Sequence, residues 1–257
     1  MLPLLYKIIT MKQVYIEKIP YKQYSNSFLD TVALSLYFDS TESKSDFMSR
    51  LKEFTATHFN LNIKNEGEFE GIRITKEDKS INFFLSLGCA MVEISGSSYL
   101  NFIDSQLPHL DRLIEFSKKV AVVDYIKNIS IRKLNTWDFR GDEGKNPSLK
   151  WVYDKIFSAD LVGSLSKDDL NEKESLISNF QKFIFQDGDY TIKVRTAYIQ
   201  NSKDKNYTRL ILDTECLSSV EKKSMEELTG ICKKMNKKMY DVYHWCVTDE
   251  VINMMNK

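Results

Sequence analysis

Apolar and polar residues alternate along the chain with two periods, and the period switches from one stretch to the next. Val32, Leu34, Leu36 and Phe38 interleave with Thr31, Ala33, Ser35 and Tyr37, which predicts a strand with one apolar face. Phe47, Leu51, Phe54 and His58 recur at spacings of four, three and four, the rhythm of an amphipathic helix with His58 on its inner seam. A β region follows: Phe69 to Thr75, a polar hairpin turn at Lys76 to Lys79, and an alternating run from Ile81 to Met91. Gly88 interrupts that run, as a bulge or as a break before a strand from Ala90 to Ile94. Ser105 to Val122 reads as a helix with Pro108 in its first turn, where the missing N–H is harmless, and with His109 exposed. Ile126 to Phe139 reads as the next strand.

The second half begins after the loop Arg140 to Pro147. Trp151 to Phe157 predicts a short helix or turn, and Leu161 to Leu165 a strand. Phe180 to Phe185, Tyr190 to Ile199 and Tyr207 to Cys216 read as three consecutive antiparallel strands, joined by a tight turn at Asp187-Gly188-Asp189 and a looser one at Asn201 to Lys205. If Gln200 pairs with Asn206, Lys193 falls opposite Asp213. A long helix then starts at Ser218, with Ser218 and Glu221 spaced as a capping box. Its seam is Met225, Leu228, Cys232, Met235, Met239, Val242 and Cys246, spaced alternately by three and four. Thr248 fits the N-cap of a last short helix.

These elements add up to an α+β fold: two halves of mostly antiparallel sheet, each covered by amphipathic helices, with a long C-terminal helix. The boundary falls at the Arg140 to Pro147 loop. It gives an N-terminal half over 11–140 and a C-terminal half over 147–257, the long helix occupying 219–246, or else one continuous domain.

Composition narrows the function classes. Lys plus Arg and Asp plus Glu both number 36, so the basic excess of a sequence-nonspecific nucleic-acid binder is missing. No apolar run approaches the ~20 residues of a membrane-spanning helix, and the first ten residues lack the basic flank and cleavage site of a signal peptide. Met1 and Met11 both fit as the start. Cys89, Cys216, Cys232 and Cys246 are dispersed without a CxxC pair, which reads as free thiols in a reducing cytoplasm. A soluble, cytoplasmic protein without cofactor or metal is expected.

Catalytic signatures are scarce. Three histidines stand far apart in sequence, and there is no GxSxG, no HExxH and no dinucleotide fingerprint. The loop at Gly141 to Lys145 has two residues between its first Gly and the Gly-Lys pair, where a phosphate loop needs four. One metal-nuclease constellation is conceivable: Asp213 and Glu215 holding a divalent ion, with Lys193 supporting the attacking water. The same residues also suit a solvated cross-strand charge ladder. Lys233, Lys234, Lys237 and Lys238 form a basic stripe suited to phosphates or an acidic partner. Met225, Leu228, Met235 and Met239 suit either a core seam or a helix-paired dimer interface.

Three segments carry a family likeness. Ile129-Ser-Ile-Arg-Lys-Leu-Asn135 resembles an "RYxN"-type strand, Arg209-Leu-Ile-Leu-Asp213 an "LILD" strand, and Tyr243-His-Trp-Cys-Val-Thr-Asp-Glu250 the start of a closing "ITDE" helix. These marks, their order and the chain length resemble a sporadically distributed family of uncharacterised bacterial proteins of about this size. Lys133 departs from the pattern where an aromatic is expected, and Val247 where an isoleucine is. Asn135, Asp213 and Asp249 are the matched positions, and the resemblance implies no role for them. The family's patchy distribution implies mobile-element or antiviral-defence genes.

The reading from sequence is therefore a non-enzymatic protein that binds a protein partner or itself, as an accessory in a bacterial defence or toxin-like operon. The alternatives are a metal-dependent nucleic-acid-processing enzyme using Asp213 and Glu215, and a nucleic-acid-binding module using the lysine stripe.

Overall fold

The structure, a computed structural model, describes residues 16–22, 24, 27–40, 43–59, 71–75, 80–120, 123–140, 149–162, 178–200, 207–221 and 223–256. The expected turns at Lys76 to Lys79 and Asn201 to Lys205, and the loop Gly141 to Pro147, lie outside the described residues. So does the side chain of His58.

Among the described residues, eight antiparallel strands form one sheet. In chain order they are β1 (Leu29–Ser40), β2 (Gly71–Thr75), β3 (Ile81–Ser86), β4 (Cys89–Ser95), β5 (Val123–Arg140), β6 (Ser178–Asp187), β7 (Tyr190–Gln200) and β8 (Tyr207–Ser219). Across the sheet the order is β2-β3-β4-β1-β5-β8-β7-β6. The central strand β5 pairs with β1 on one side and with β8 on the other, so the sheet runs without interruption from one half of the chain into the other. The fold is α+β, with a mostly antiparallel sheet and a long helix near the C-terminus.

The alternation in β1 and β5 sets which face is which. Leu34 and Leu36 stand beside Ile131 and Ile129, and Ile131 beside Cys216, all fully buried. Burying each such side chain contributes roughly 1.5–3 kcal/mol, enough to fix the register against a one-residue slip. The covering helices are α1 (Lys44–Phe59), α2 (His109–Val120), α3 (Leu149–Ile156), α4 (Ala159–Val162), α5 (Met225–Cys246) and α6 (Asp249–Met255). Phe47 and Leu51 of α1, Leu110 and Leu113 of α2, Val152 and Ile156 of α3, and Met235 and Met239 of α5 all enter one core with the strand residues.

Several elements differ from the sequence expectation. The long helix begins at Met225 rather than near Ser218: Ser224 and Glu227 form the capping box, with Glu227 N–H donating to Ser224 Oγ at 3.3 Å and Ser224 N–H to Glu227 Oε2 at 2.8 Å. The Ser218–Glu221 pair has the same spacing, but Ser218 is held in β8 opposite Tyr190, and Val220 is buried with its N–H bonded to the Lys127 carbonyl. Leu161 and Val162, the described part of the strand expected at Leu161 to Leu165, belong instead to the helical turn Ala159–Val162, started by Ser158. The helix expected from Ser105 begins as a π-helical turn at Phe102–Gln106, capped by Asn101, and α2 itself starts at His109. Of the two readings of Gly88 the break holds: Leu87 and Gly88 form the two-residue turn between β3 and β4, and β4 starts at Cys89, one residue before the expected Ala90.

Two glycines are required by geometry. Gly188, between β6 and β7, has φ +60°, a conformation that side chains resist. At Gly96, just after β4, an added Cβ would sit 1.6 Å from the Leu29 carbonyl oxygen. The turn that follows β4 can approach the start of β1 only without a side chain.

Candidate functional site

On the sheet face opposite the helices, the expected carboxylates meet cations. Lys193 stands opposite Glu215 and Arg195 opposite Asp213, a register two residues away from the one the Gln200–Asn206 pairing implied; Gln200 pairs with Thr208 instead. A shift of two keeps every side chain on its face, and it places Arg195 between both acids. Arg132 donates to the two oxygens of Asp213 at 2.8 Å each, Arg195 approaches Asp213 at 3.1 Å and Glu215 at 2.5 Å, and Lys193 reaches Glu215 at 3.1 Å. Three cations thus occupy the space around two carboxylates where a divalent ion would have to sit. Among the described residues no group of three His, Cys, Asp or Glu side chains could hold a metal.

The same face changes character toward its β6 edge. Phe180 and Ile184 on β6 and Ile199 on β7 are exposed, Phe180 at 65%. Phe180 stands beside Ala197 and Ala197 beside Ile211, while Lys182 and Ile184 stand beside Arg195 and Lys193. β6 has no second strand neighbour in the sheet, so its outward backbone groups form a ladder without a partner among the described strands.

The seam of α5 faces the core. Met235 and Cys232 are fully buried, Leu228 and Met239 nearly so, and Met225 packs against them part-exposed. A helix-paired dimer would need these side chains on the surface. Of the four lysines, Lys233 and Lys234 are exposed, whereas Lys237 is paired with Asp241 and Lys238 with Asp187.

A cavity of about 630 Å³ opens on the helix side of the sheet, and sequence reasoning did not anticipate it. Its floor is Lys133 and Asn135 of β5 with Thr214 of β8; one wall is Asn236, Met239, Tyr240 and Tyr243 of α5, and the other is the turn from Gly96 to Asn101. Its roof is Tyr21, Lys22 and Tyr24, which together with residues 16–20 lie as a strap on α5. Ile19 N–H donates to Asp241 Oδ1 at 3.1 Å, Lys22 N–H to the Tyr240 hydroxyl at 3.1 Å, and Lys237 Nζ to the Ile19 carbonyl at 2.5 Å. Tyr21 packs on Tyr240 with ring centres 5.0 Å apart. His244 donates from Nδ1 to the Tyr240 carbonyl at 2.9 Å, which leaves Nε2 to accept from Tyr24 at 2.5 Å. Burial holds the His244 imidazole below its ordinary pKa, in keeping with that neutral form.

Lys133 sits on the core face of β5, in the position otherwise filled by Ile129 and Ile131. Its Nζ donates to Asn236 Oδ1 at 2.7 Å and lies 5.9 Å from the centre of the Tyr99 ring. No carboxylate lines the cavity among the described residues. Desolvation alone pushes the Lys133 ammonium down to about 8. The signal in the sequence was this lysine following Ile129 and Ile131 at alternate positions, which did not read as a cavity floor.

His109 is half-buried rather than exposed, its ring set edge-on to Phe83 at 5.5 Å, and burial lowers its pKa. The four cysteines are free; burial pushes the thiols of Cys89, Cys216 and Cys232 up to about 12, and that of Cys246 higher still. At neutral pH they are unreactive thiols rather than nucleophiles. Among the described residues no helix is long and apolar enough to cross a membrane.

No family model and no curated protein matches the chain. Among solved structures it is similar to Methanococcus jannaschii TBP, with a TM-score of 0.27 and 12% identity, over 83% of this chain and 97% of that one.

Proposed function

We propose that the protein is a non-enzymatic, self-associating binding protein, and that two copies join through their β6 edges. The observation that carries this reading is the ten-residue edge strand with Phe180 and Ile184 exposed beside it. A long edge that presents apolar side chains is a template for another strand, which monomeric proteins normally blunt with charge or proline.

The sequence of β6 selects the register. An antiparallel pair centred on Phe183 places Lys182 opposite Ile184 of the second copy and Phe180 diagonal to it, and brings Phe183 against its own mate. A pair centred on Lys182 would set two ammonium groups face to face and is disfavoured. The favoured pairing is isologous and closed, and it continues one sheet through both copies. An accessory role in a bacterial defence or toxin-like operon is compatible with an assembly-forming protein of this kind.

Support for the enzyme alternative is weaker, because Arg132, Arg195 and Lys193 already neutralise Asp213 and Glu215. The test is size-exclusion chromatography with light scattering at tens of micromolar. The wild type is expected at twice the chain mass, and the double variant Phe180→Lys, Ile184→Lys at the single mass with an unchanged circular dichroism spectrum. A monomeric wild type, or a double variant that stays dimeric, overturns the proposal.

A further inference from the structure

We infer that the cavity above Lys133 is a binding site for a small organic anion that carries an aromatic ring. Three features of the site converge on that class. The first is charge: a lysine on the sheet's core face has an amide oxygen and an aromatic ring as neighbours, and no carboxylate among the described cavity residues. Burying an ammonium without a counter-charge is unfavourable, and an entering carboxylate or phosphate supplies the missing partner.

The second feature is shape and lining. The volume lies within the range of roughly 300–1,000 Å³ typical of small-molecule sites. Tyr21, Tyr24, Tyr99, Tyr240 and Tyr243 surround it. Tyrosine rings offer flat apolar faces together with hydroxyl groups, a combination suited to a planar ligand.

The third is the supply of neutral polar groups. Asn101, Asn135, Asn236, Ser97 and Thr214 reach the same space. Amides and hydroxyls fix the orientation of a ring bearing heteroatoms without opposing the charge of its acid group. In the bound state the acid group meets Lys133 on the floor, and the ring lies toward the strap.

The site is on the helix side of the sheet and does not depend on self-association through β6, so either proposal can fail without the other. The experiment is isothermal titration of the full-length protein with phenyl phosphate and with benzoate, against phenol and benzylamine as neutral and cationic counterparts. At least one anion is expected to bind, at least tenfold more tightly than either counterpart. Lys133→Met is expected to weaken that binding tenfold or more, and Lys133→Arg to retain it within about threefold. A second reading needs no variant: the bound anion should protect Lys133 from acetylation in the wild-type protein, measured by mass spectrometry of the digest. Absence of anion binding at millimolar concentration, equal binding of phenol or benzylamine, or acetylation of Lys133 unchanged by the bound anion overturns the inference.

Discussion

Lys133 is the residue at which stability and binding pull in opposite directions. Burial pushes its ammonium down to about 8 from the ordinary value of 10.5. Between these values the unfolded chain holds the extra proton, so stability rises with pH across the window. The cost of the charge is fully present below about pH 8 and is relieved above the unfolded value. From the size of the shift it amounts to at most about 3 kcal/mol, less for the share of the side chain that water still reaches. Lys133→Met is therefore expected to be more stable than the wild type at pH 7, with the difference shrinking toward pH 10.5; urea unfolding of both proteins across that range measures it. Tyr21, Tyr24, Tyr99, Tyr240, Tyr243 and Lys22 line the same cavity and are common to both proteins, so the difference between the two curves isolates Lys133. An equal or lower stability of the variant at pH 7 would show that the ammonium is already compensated.

Among the elements, α5 was the most legible in the sequence and also the one whose role was left open. Its seven seam positions follow a strict helical rhythm, which fixed the helix, but the same rhythm suits a core and an interface equally. The sheet decides between them: Leu212 and Cys216 of β8 are apolar on the face that α5 covers. Met235→Glu places a carboxylate at a fully buried position and is expected to cost more than about 4 kcal/mol, unfolding the protein rather than merely separating subunits. Thermal denaturation followed by circular dichroism distinguishes the two; a folded Met235→Glu monomer would return the seam to the surface. The start of α5 was misplaced because Ser218 and Ser224 both stand three residues before a glutamate. Local pattern cannot rank two equivalent caps, and the long-range bond from Val220 to Lys127 does. The charge ladder was legible as a face, since parity alone assigns it, yet its register was off by two because loop length is a poor guide to pairing. The cavity was not legible at all. Its lining comes from the strap, a turn, three strands, α5 and α6, brought together only by tertiary structure.

At the scale of the whole molecule, β5 is shared property. Eighteen residues long, it is the strand on which both halves of the sheet are built. A sheet that crosses the midpoint of the chain this way should unfold as one cooperative unit. Trp137, Trp151 and Trp245 report on β5, α3 and α5, while far-ultraviolet circular dichroism reports on all elements. The two signals are expected to trace a single coincident transition in guanidinium chloride; two separated transitions would mean that the halves are independent. The strap adds a demand of another kind, on the order of events during synthesis. Ile19 bonds to Asp241 across a sequence separation of 222 residues. At translation rates of roughly 5–20 residues per second, the strap leaves the ribosome some ten to forty seconds before its seat on α5 exists. The nascent chain must carry Tyr21 and Tyr24 without their partners Tyr240 and His244 for that interval, and the chamber over Lys133 acquires its roof only as the last helices emerge.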